Sequence, residues 1–328
     1  TEILGWPVLP ISWSRIEGGD ALTALDPKAV TRYNVIAGAI GIVAALLVTA
    51  TSAVMTRKHP QASGIALAHT VPFLTAASAL RLSQSHWDTA GWGWTGLGLL
   101  IGSLAVLALP KRSRISIAAP LVVGTVLAAT GLLVRLGQLS QAGISAILFA
   151  LVIVLLQVAP WIALAHIPVR ILDADTTEQI PAKGITDQIS TSFMFVVALR
   201  AGGAIAALFL AVALMTAPET RSVSLPLTLI VLGAVSLVLQ TRSIRARVEV
   251  LLGALTGLIV ILVAAVLGAY ADPRTMPWLT LSAIATALVL VITNVVGPRA
   301  RPHLTRIADT ISVLSLFVLL PLAVYLWS

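Results

Sequence analysis

Arg200 and His69 are ionisable side chains inside apolar stretches of the sequence, which makes them the first candidates for chemistry. A charged group within a bilayer costs about 2.5–3.5 kcal/mol on insertion scales, so such residues mark functional sites by default. Arg200, in FMFVVALRAGGAIAAL, could bind a substrate group, or it could contact a neighbouring subunit or buried carbonyls. We favour a third interpretation, in which its long stem carries the guanidinium back to the cytoplasmic interface.

His69 could serve as a metal ligand or a proton carrier. It stands alone beside Thr70 and Pro72, and a lone histidine in this setting is more typical of a hydrogen bond to a neighbouring helix. We therefore predict a structural role for His69.

The 13 carboxylates all lie at the margins of the apolar stretches or between them. Pumps and proton-coupled transporters carry protons along buried acids or histidines. The absence of any carboxylate from the middle of the stretches therefore argues against an ion-motive transporter. The sequence also lacks the zinc-protease pattern HExxH and the nucleotide-binding pattern GxxxxGK[ST], and it has no cysteine for a thiolate metal site. We predict no catalytic residue, metal or cofactor, and infer that a partner supplies any energy.

The composition places the chain in a membrane. Apolar residues make up 58% of its 328 residues, charged residues only 10%, and the mean hydropathy is +0.99. A membrane-spanning helix needs about 20 mostly apolar residues, and the sequence contains ten such runs. They are approximately 34–55, 64–82, 92–109, 115–135, 143–166, 192–217, 223–240, 248–270, 276–296 and 310–327. The runs are continuously apolar and do not alternate as barrel strands do, so we predict an all-α polytopic bundle of about ten transmembrane helices.

The lysines and arginines are concentrated in the breaks after the first, third, fifth, seventh and ninth runs, and this bias marks the cytoplasmic side. We therefore predict that Thr1 and Ser328 both lie outside the cytoplasm. The arginines of the longer basic breaks are candidate contacts for acidic partner segments or anionic lipid. They are Arg112, Arg114, Arg242, Arg245, Arg247, Arg299, Arg301 and Arg306.

The domain organisation follows from the same pattern. Residues 1–33 form an extracytoplasmic segment without the features of a signal peptide, and we interpret ILGWPVLPISW as the outer end of a helix that precedes it; the alternative is an interfacial arm. Residues 34–328 form a single transmembrane domain. Its longest interior loop, 167–190, is expected in the cytoplasm, as a solvated connector or as a docking surface.

Two small-residue pairs predict close helix packing. Gly98 and Gly102 lie in the third run, and Gly253 and Gly257 lie in the eighth, each with GxxxG spacing. Packing within one chain is the favoured interpretation, and a dimer interface is the alternative.

The chain resembles the EccD family, the multispanning membrane component of type VII (ESX) protein secretion systems. The resemblance lies in the order of three segments, QVAPWIALAHIPVRI, the basic hairpin TRSIRAR, and the final GPRARPHLTRIADTISVLSLFVLLPLAVYLWS. Members of that family share a pattern of eleven spans with a cytoplasmic ubiquitin-like domain before the first span. No such domain is found in this sequence.

The resemblance implies a non-enzymatic scaffold or channel component in the bacterial inner membrane, with two copies enclosing a lipid-lined vestibule. Its implied partners are EccB, the EccC ATPase, EccE and a second copy of itself, together with lipid, and no nucleic acid. Two alternatives from other classes remain open: a solute transporter that uses Arg200 with hydroxyls and carbonyls, and a membrane enzyme with an unrecognised site.

Overall fold

The computed structural model describes residues 27–58, 62–83, 89–108, 117–165, 182–219, 222–240, 247–271 and 301–327, with the single residues 277, 280 and 284. All the regular structure in these ranges is α-helical, which confirms the predicted fold class. The helices are α1 (Pro27–Lys58), α2 (Ala62–Leu82), α3 (Thr89–Leu107), α4 (Ala118–Gly137), α5 (Gln141–Ala165), α6 (Ala182–Met215), α7 (Ser224–Gln240), α8 (Arg247–Ala271) and α9 (Arg301–Trp327).

The apolar runs become helices because a bilayer offers no partner for backbone N–H and C=O groups, which a helix satisfies internally. Each helix overlaps one predicted run, and seven contain a segment long and apolar enough to cross a membrane. The α7 segment Ser224–Leu239 is a shorter apolar helix. Almost all of the predicted run 276–296 lies outside the described residues.

Three helices begin well before the apolar run that predicted them. The α6 helix starts at Ala182, so the predicted loop 167–190 was wrong at its C-terminal end, where 182–190 are helical. The α1 and α9 helices likewise start at Pro27 and Arg301. Hydropathy marks where lipid ends, whereas a helix continues into water as long as its side chains are solvated there. At 1.5 Å per residue, the 34 residues of α6 extend roughly 50 Å, well beyond the bilayer's hydrocarbon thickness of about 30 Å.

The helices form two groups. In the first, which we call the N-terminal layer, α1, α2, α3 and α4 lie side by side, each packed on the one before it. In the second, the C-terminal cluster, α5 to α9 surround the main apolar core. The largest fully buried side chains of that core are Phe149, Ile153, Leu210, Leu214, Leu229, Ile230, Ile261 and Leu319.

The two groups meet where α4 packs on α6. Close packing at this junction is possible because Gly202 of α6 faces the Ala119 backbone of α4, where an added Cβ would lie 2.6 Å from the Ala119 carbonyl oxygen. The rings of Trp92 in α3 and Phe209 in α6 also meet edge to face, with centroids 4.9 Å apart. The layer is therefore joined to the cluster through α3, α4 and α6.

Candidate functional site

Arg200 lies inside the C-terminal cluster. It is only 6% exposed and lines a small pocket with residues of four helices, α5 to α8. The other lining residues are Leu156, Ala204, Leu237, Leu252, Gly253 and Thr256. The guanidinium therefore lies among helices of its own chain, in an environment that the sequence did not predict.

The pocket is small. Its volume of about 20 Å³ is room for roughly one water molecule. Polar groups surround this level of the cluster: Gln157, next to Leu156, donates its side-chain N–H to the Ser236 hydroxyl, next to Leu237. Thr256 donates to its own helix at Leu252 O. The Arg200 guanidinium is therefore buried near the polar side chains of Gln157, Ser236 and Thr256. A solute larger than water does not fit the pocket.

The pocket lies close to the turn between α7 and α8. Leu237 is within one turn of the end of α7 at Gln240, and Leu252 is within two turns of the start of α8 at Arg247. The segment TRSIRAR connects these two helices in the sequence. Among the described residues Arg200 is the one buried cation, and its pocket lies near the end of α7 and the start of α8.

The predicted basic contacts are only partly described. Arg112, Arg114, Arg242, Arg245 and Arg299 lie outside the described residues. Arg247 is the first residue of α8, and Arg301 and Arg306 belong to the first two turns of α9. These three arginines are therefore in helices rather than in loops.

His69 is half-buried in α2. Its neighbour Thr70 donates a hydrogen bond to Leu67 O at 2.8 Å within the same helix. The described residues contain no group of three or more His, Asp or Glu side chains placed to hold a metal ion.

The predicted glycine pairs lie at helix interfaces within this chain. A Cβ on Gly98 would lie 2.5 Å from the Thr75 carbonyl oxygen, and one on Gly102 would lie 2.6 Å from Pro72 Cα, so α3 packs directly on the α2 backbone. Gly257 of α8 packs on Val238 of α7. Gly253 lines the pocket beside Arg200, so the structure brings these two predicted residues together.

The closest helix contact is one that the sequence reasoning missed. Gly93 faces Gly131 and Gly96 faces Ala128, where an added Cβ on Gly96 or Gly131 would fall within 3.0 Å of backbone atoms of the opposite helix. Residues 91–96, GWGWTG, also match the spacing GxGxxG, which in another context would suggest a nucleotide site. Here they lie within α3 and pack it against α4. The available signal was the density of glycine in α3.

A second cavity, which we call the α1–α3 groove, was also missed. Its volume is about 500 Å³, and α1, α2 and α3 line it. Small side chains widen it, and larger apolar ones form its walls. The small residues are Ala45, Thr49, Thr75, Ala79, Ser83, Gly98 and Ala105. No pattern of one helix predicts it, because the groove arises where α1 and α3 both pack on α2 and hardly on each other.

These observations define a polytopic all-α membrane protein whose buried polar groups are few. The family model of the EccD-like transmembrane domain matches residues 18–328. The chain therefore belongs to the EccD family, the multispanning membrane component of type VII secretion systems, as the resemblance predicted.

The fold is also similar to a solved structure, that of protomer 1 of the ESX-3 core complex. The TM-score is 0.66 at 18% sequence identity, and the alignment covers 92% of this chain and 72% of that chain. At this identity the likeness concerns the fold. No functionally curated protein matches the sequence.

Proposed function

We propose that the protein is a non-enzymatic scaffold and channel component of a type VII (ESX) protein secretion complex in the bacterial inner membrane. The observation that carries the proposal is the match of the EccD-like transmembrane domain over residues 18–328. The similarity of the fold to a protomer of the ESX-3 core complex supports it.

In this proposal two copies pair and enclose a vestibule, while other membrane components of the system, EccB, EccC and EccE, pack around them. Two helices supply surfaces for such contacts. Large apolar side chains of α1 and α9 remain exposed, among them Ile36, Ile40, Phe317 and Val324. The EccC ATPase would supply the energy for export.

The basic breaks between the apolar runs, TRSIRAR among them, face the cytoplasm in this arrangement and contact acidic partner segments. The length of α6 supports such a surface, because a helix starting at Ala182 extends roughly 50 Å and cannot lie wholly within the hydrocarbon layer. The start of α9 at Arg301 extends that helix in the same way.

The function is tested by deleting the gene in its own host and measuring export of the substrates of the system into the culture medium. We expect export to stop and to return with the wild-type gene. Export that continues in the deletion strain would contradict the proposal. Uptake of a solute by liposomes that contain only this protein would favour the transporter alternative.

The role of the hairpin is tested in the same strain with the triple variant Arg242→Glu, Arg245→Glu, Arg247→Glu. We expect the complex to assemble poorly, with the amount of EccC recovered alongside this chain falling several-fold. The matched control is the triple lysine variant, which keeps the charge and should assemble normally. Normal assembly of a correctly inserted glutamate variant would remove the hairpin from the proposed contacts.

A further inference from the structure

The α1–α3 groove is a site that the proposed scaffold function does not use. Its volume of about 500 Å³ is within the range of small-molecule sites, roughly 300–1,000 Å³. It is open along one side rather than sealed inside the bundle, since Leu46 and Ile101 in its walls are 65% and 63% exposed. In a membrane protein these side chains face lipid.

The chemistry of the groove excludes a polar ligand. None of the described residues that line it carries a charge. Its hydroxyl groups already donate to backbone carbonyls: Thr49 to Ala45 O at 2.7 Å, Thr75 to Gly98 O at 2.7 Å and Ser83 to Leu80 O at 2.8 Å. Apart from the indole N–H of Trp94, the remaining described side chains of the lining are apolar, so the groove suits a hydrocarbon.

The length of the groove distinguishes a lipid chain from a helix. It begins beside the turn between α2 and α3, at Ser83 and Trp94, and runs to Val71 on α2 and Ala105 on α3, which is roughly 16–18 Å at the helical rise. A transmembrane helix must cross about 30 Å, whereas a chain of one leaflet spans about half of that. The groove is therefore close to one leaflet in length.

We propose that the α1–α3 groove holds one acyl chain of a membrane phospholipid as a bound, structural lipid. Trp94, 45% exposed, stands near the end beside the α2–α3 turn, where an aromatic ring at the membrane interface would lie next to the glycerol region of such a lipid. The lipid fills the space that α1 and α3 leave over α2, and so stabilises the position of α1 in the layer.

The test uses a substitution that fills the groove. Ala79 lines the groove and Ala77, on the same helix, is exposed and does not line it. The variants Ala79→Phe and Ala77→Phe therefore add the same side chain in and out of the site. Each complex is extracted from its own membranes, washed extensively in lipid-free detergent, and analysed for retained phospholipid per chain by mass spectrometry.

We expect the wild type and Ala77→Phe to retain a phospholipid that Ala79→Phe has lost. Equal retention in the two variants would overturn the proposal. A second readout needs no groove-filling variant: after exchange with a phospholipid brominated on its acyl chain, part of the tryptophan fluorescence should stay quenched through the detergent wash. That part should disappear in Trp94→Phe, and its persistence there would place the bound lipid elsewhere.

A partner helix in the groove is the competing occupant. The chain has no cysteine, so Thr49→Cys allows a photoreactive thiol reagent to be attached at a single position in the groove. Photo-cross-linking from this position to phospholipid is the expected result. Cross-linking to a protein, with no lipid adduct, would overturn the acyl-chain site.

Discussion

The N-terminal layer and the C-terminal cluster are held together in different ways. Between α3 and α4 the helix backbones touch at Gly93, Gly96 and Gly131, and no side chain separates them. In the cluster, large side chains fill the interior, and glycines such as Gly233 make room for a ring, that of Phe149.

The difference reflects what drives helix association in lipid. Lipid tails are as apolar as leucine, so burying apolar surface gains little, and helices associate through close packing and interhelical hydrogen bonds. Backbone contact achieves this in a thin layer of helices, whose buried apolar cluster is small: Ala68, Val71, Val106 and Ile117. Five helices around a common core need large side chains to occupy the space between them. The two regions should therefore respond differently to the same kind of substitution.

The largest effect is expected in the layer, from Gly131→Leu. A side chain at this position would overlap the backbone of α3 at Gly93, and a backbone cannot rotate away as a side chain can. Overpacking a core usually costs about 1–3 kcal/mol, and we expect more than that here, with loss of folded protein in size-exclusion chromatography. The control is Thr125→Leu, at an exposed position of the same helix. Folded protein in normal yield for Gly131→Leu would mean that α3 and α4 are not in backbone contact.

A smaller loss is expected in the cluster from Phe149→Ala. The side chain is fully buried, and its removal leaves a cavity. Soluble cores lose roughly 3–5 kcal/mol in such a change. We expect about 2–3 kcal/mol, because lipid offsets part of the transfer term. Unfolding in mixed detergent and SDS micelles measures it, with Leu151→Ala on the half-exposed side of α5 as the control. Equal costs at the two positions would contradict a packed core around Phe149.

The two regions should also differ in whether a second substitution can rescue a substituted glycine. In Gly233→Ala the new Cβ would lie 2.5 Å from Phe149 Cε1, a clash with a side chain that can be made smaller. We expect a cost of about 1–2 kcal/mol that falls below about 0.5 in the Phe149→Leu background.

The layer provides the contrasting double variant. In Gly96→Ala the new Cβ would clash with the backbone amide nitrogen of Ala128. The substitution Ala128→Gly does not remove this nitrogen. The loss of stability caused by Gly96→Ala should therefore persist in the Ala128→Gly variant. The same micelle unfolding measures both cycles. Rescue in both regions, or in neither, would remove the distinction between them.

The smallest effect is expected from Thr75→Val, which removes the bond from Thr75 Oγ1 to Gly98 O between α2 and α3 at 2.7 Å. Interhelical hydrogen bonds in membranes average about 0.6 kcal/mol, and we expect a loss of that order. Thr70→Val is the control, since Thr70 bonds within α2. A loss of several kcal/mol would show that hydrogen bonding, rather than backbone contact, holds the layer.

Hydropathy predicted the helices and, for α2, both ends to within two residues, because the same lipid that selects apolar residues also enforces the helix. It failed at the start of α6, where polar residues from Ala182 onward continue the helix into water. Charges and apolar runs report the boundary of the bilayer and carry no information on a helix beyond it.

The site was less predictable than the fold. The sequence identified Arg200 as unusual, but its place among α5, α7 and α8 depends on which helices are neighbours, and no single helix encodes that. The α1–α3 groove is a property of three helices at once. GxxxG spacing, in contrast, can be found within one helix, and the structure places Gly98 and Gly102 against α2, a partner that the spacing did not identify.

We propose that this chain works as one part of a secretion complex. The most direct measurement is the size and composition of the native particle after mild detergent extraction from its own cells. We expect a particle far larger than a few copies of a 34.2 kDa chain, containing an ATPase and single-span partners. A monomer or simple dimer without partners would contradict it.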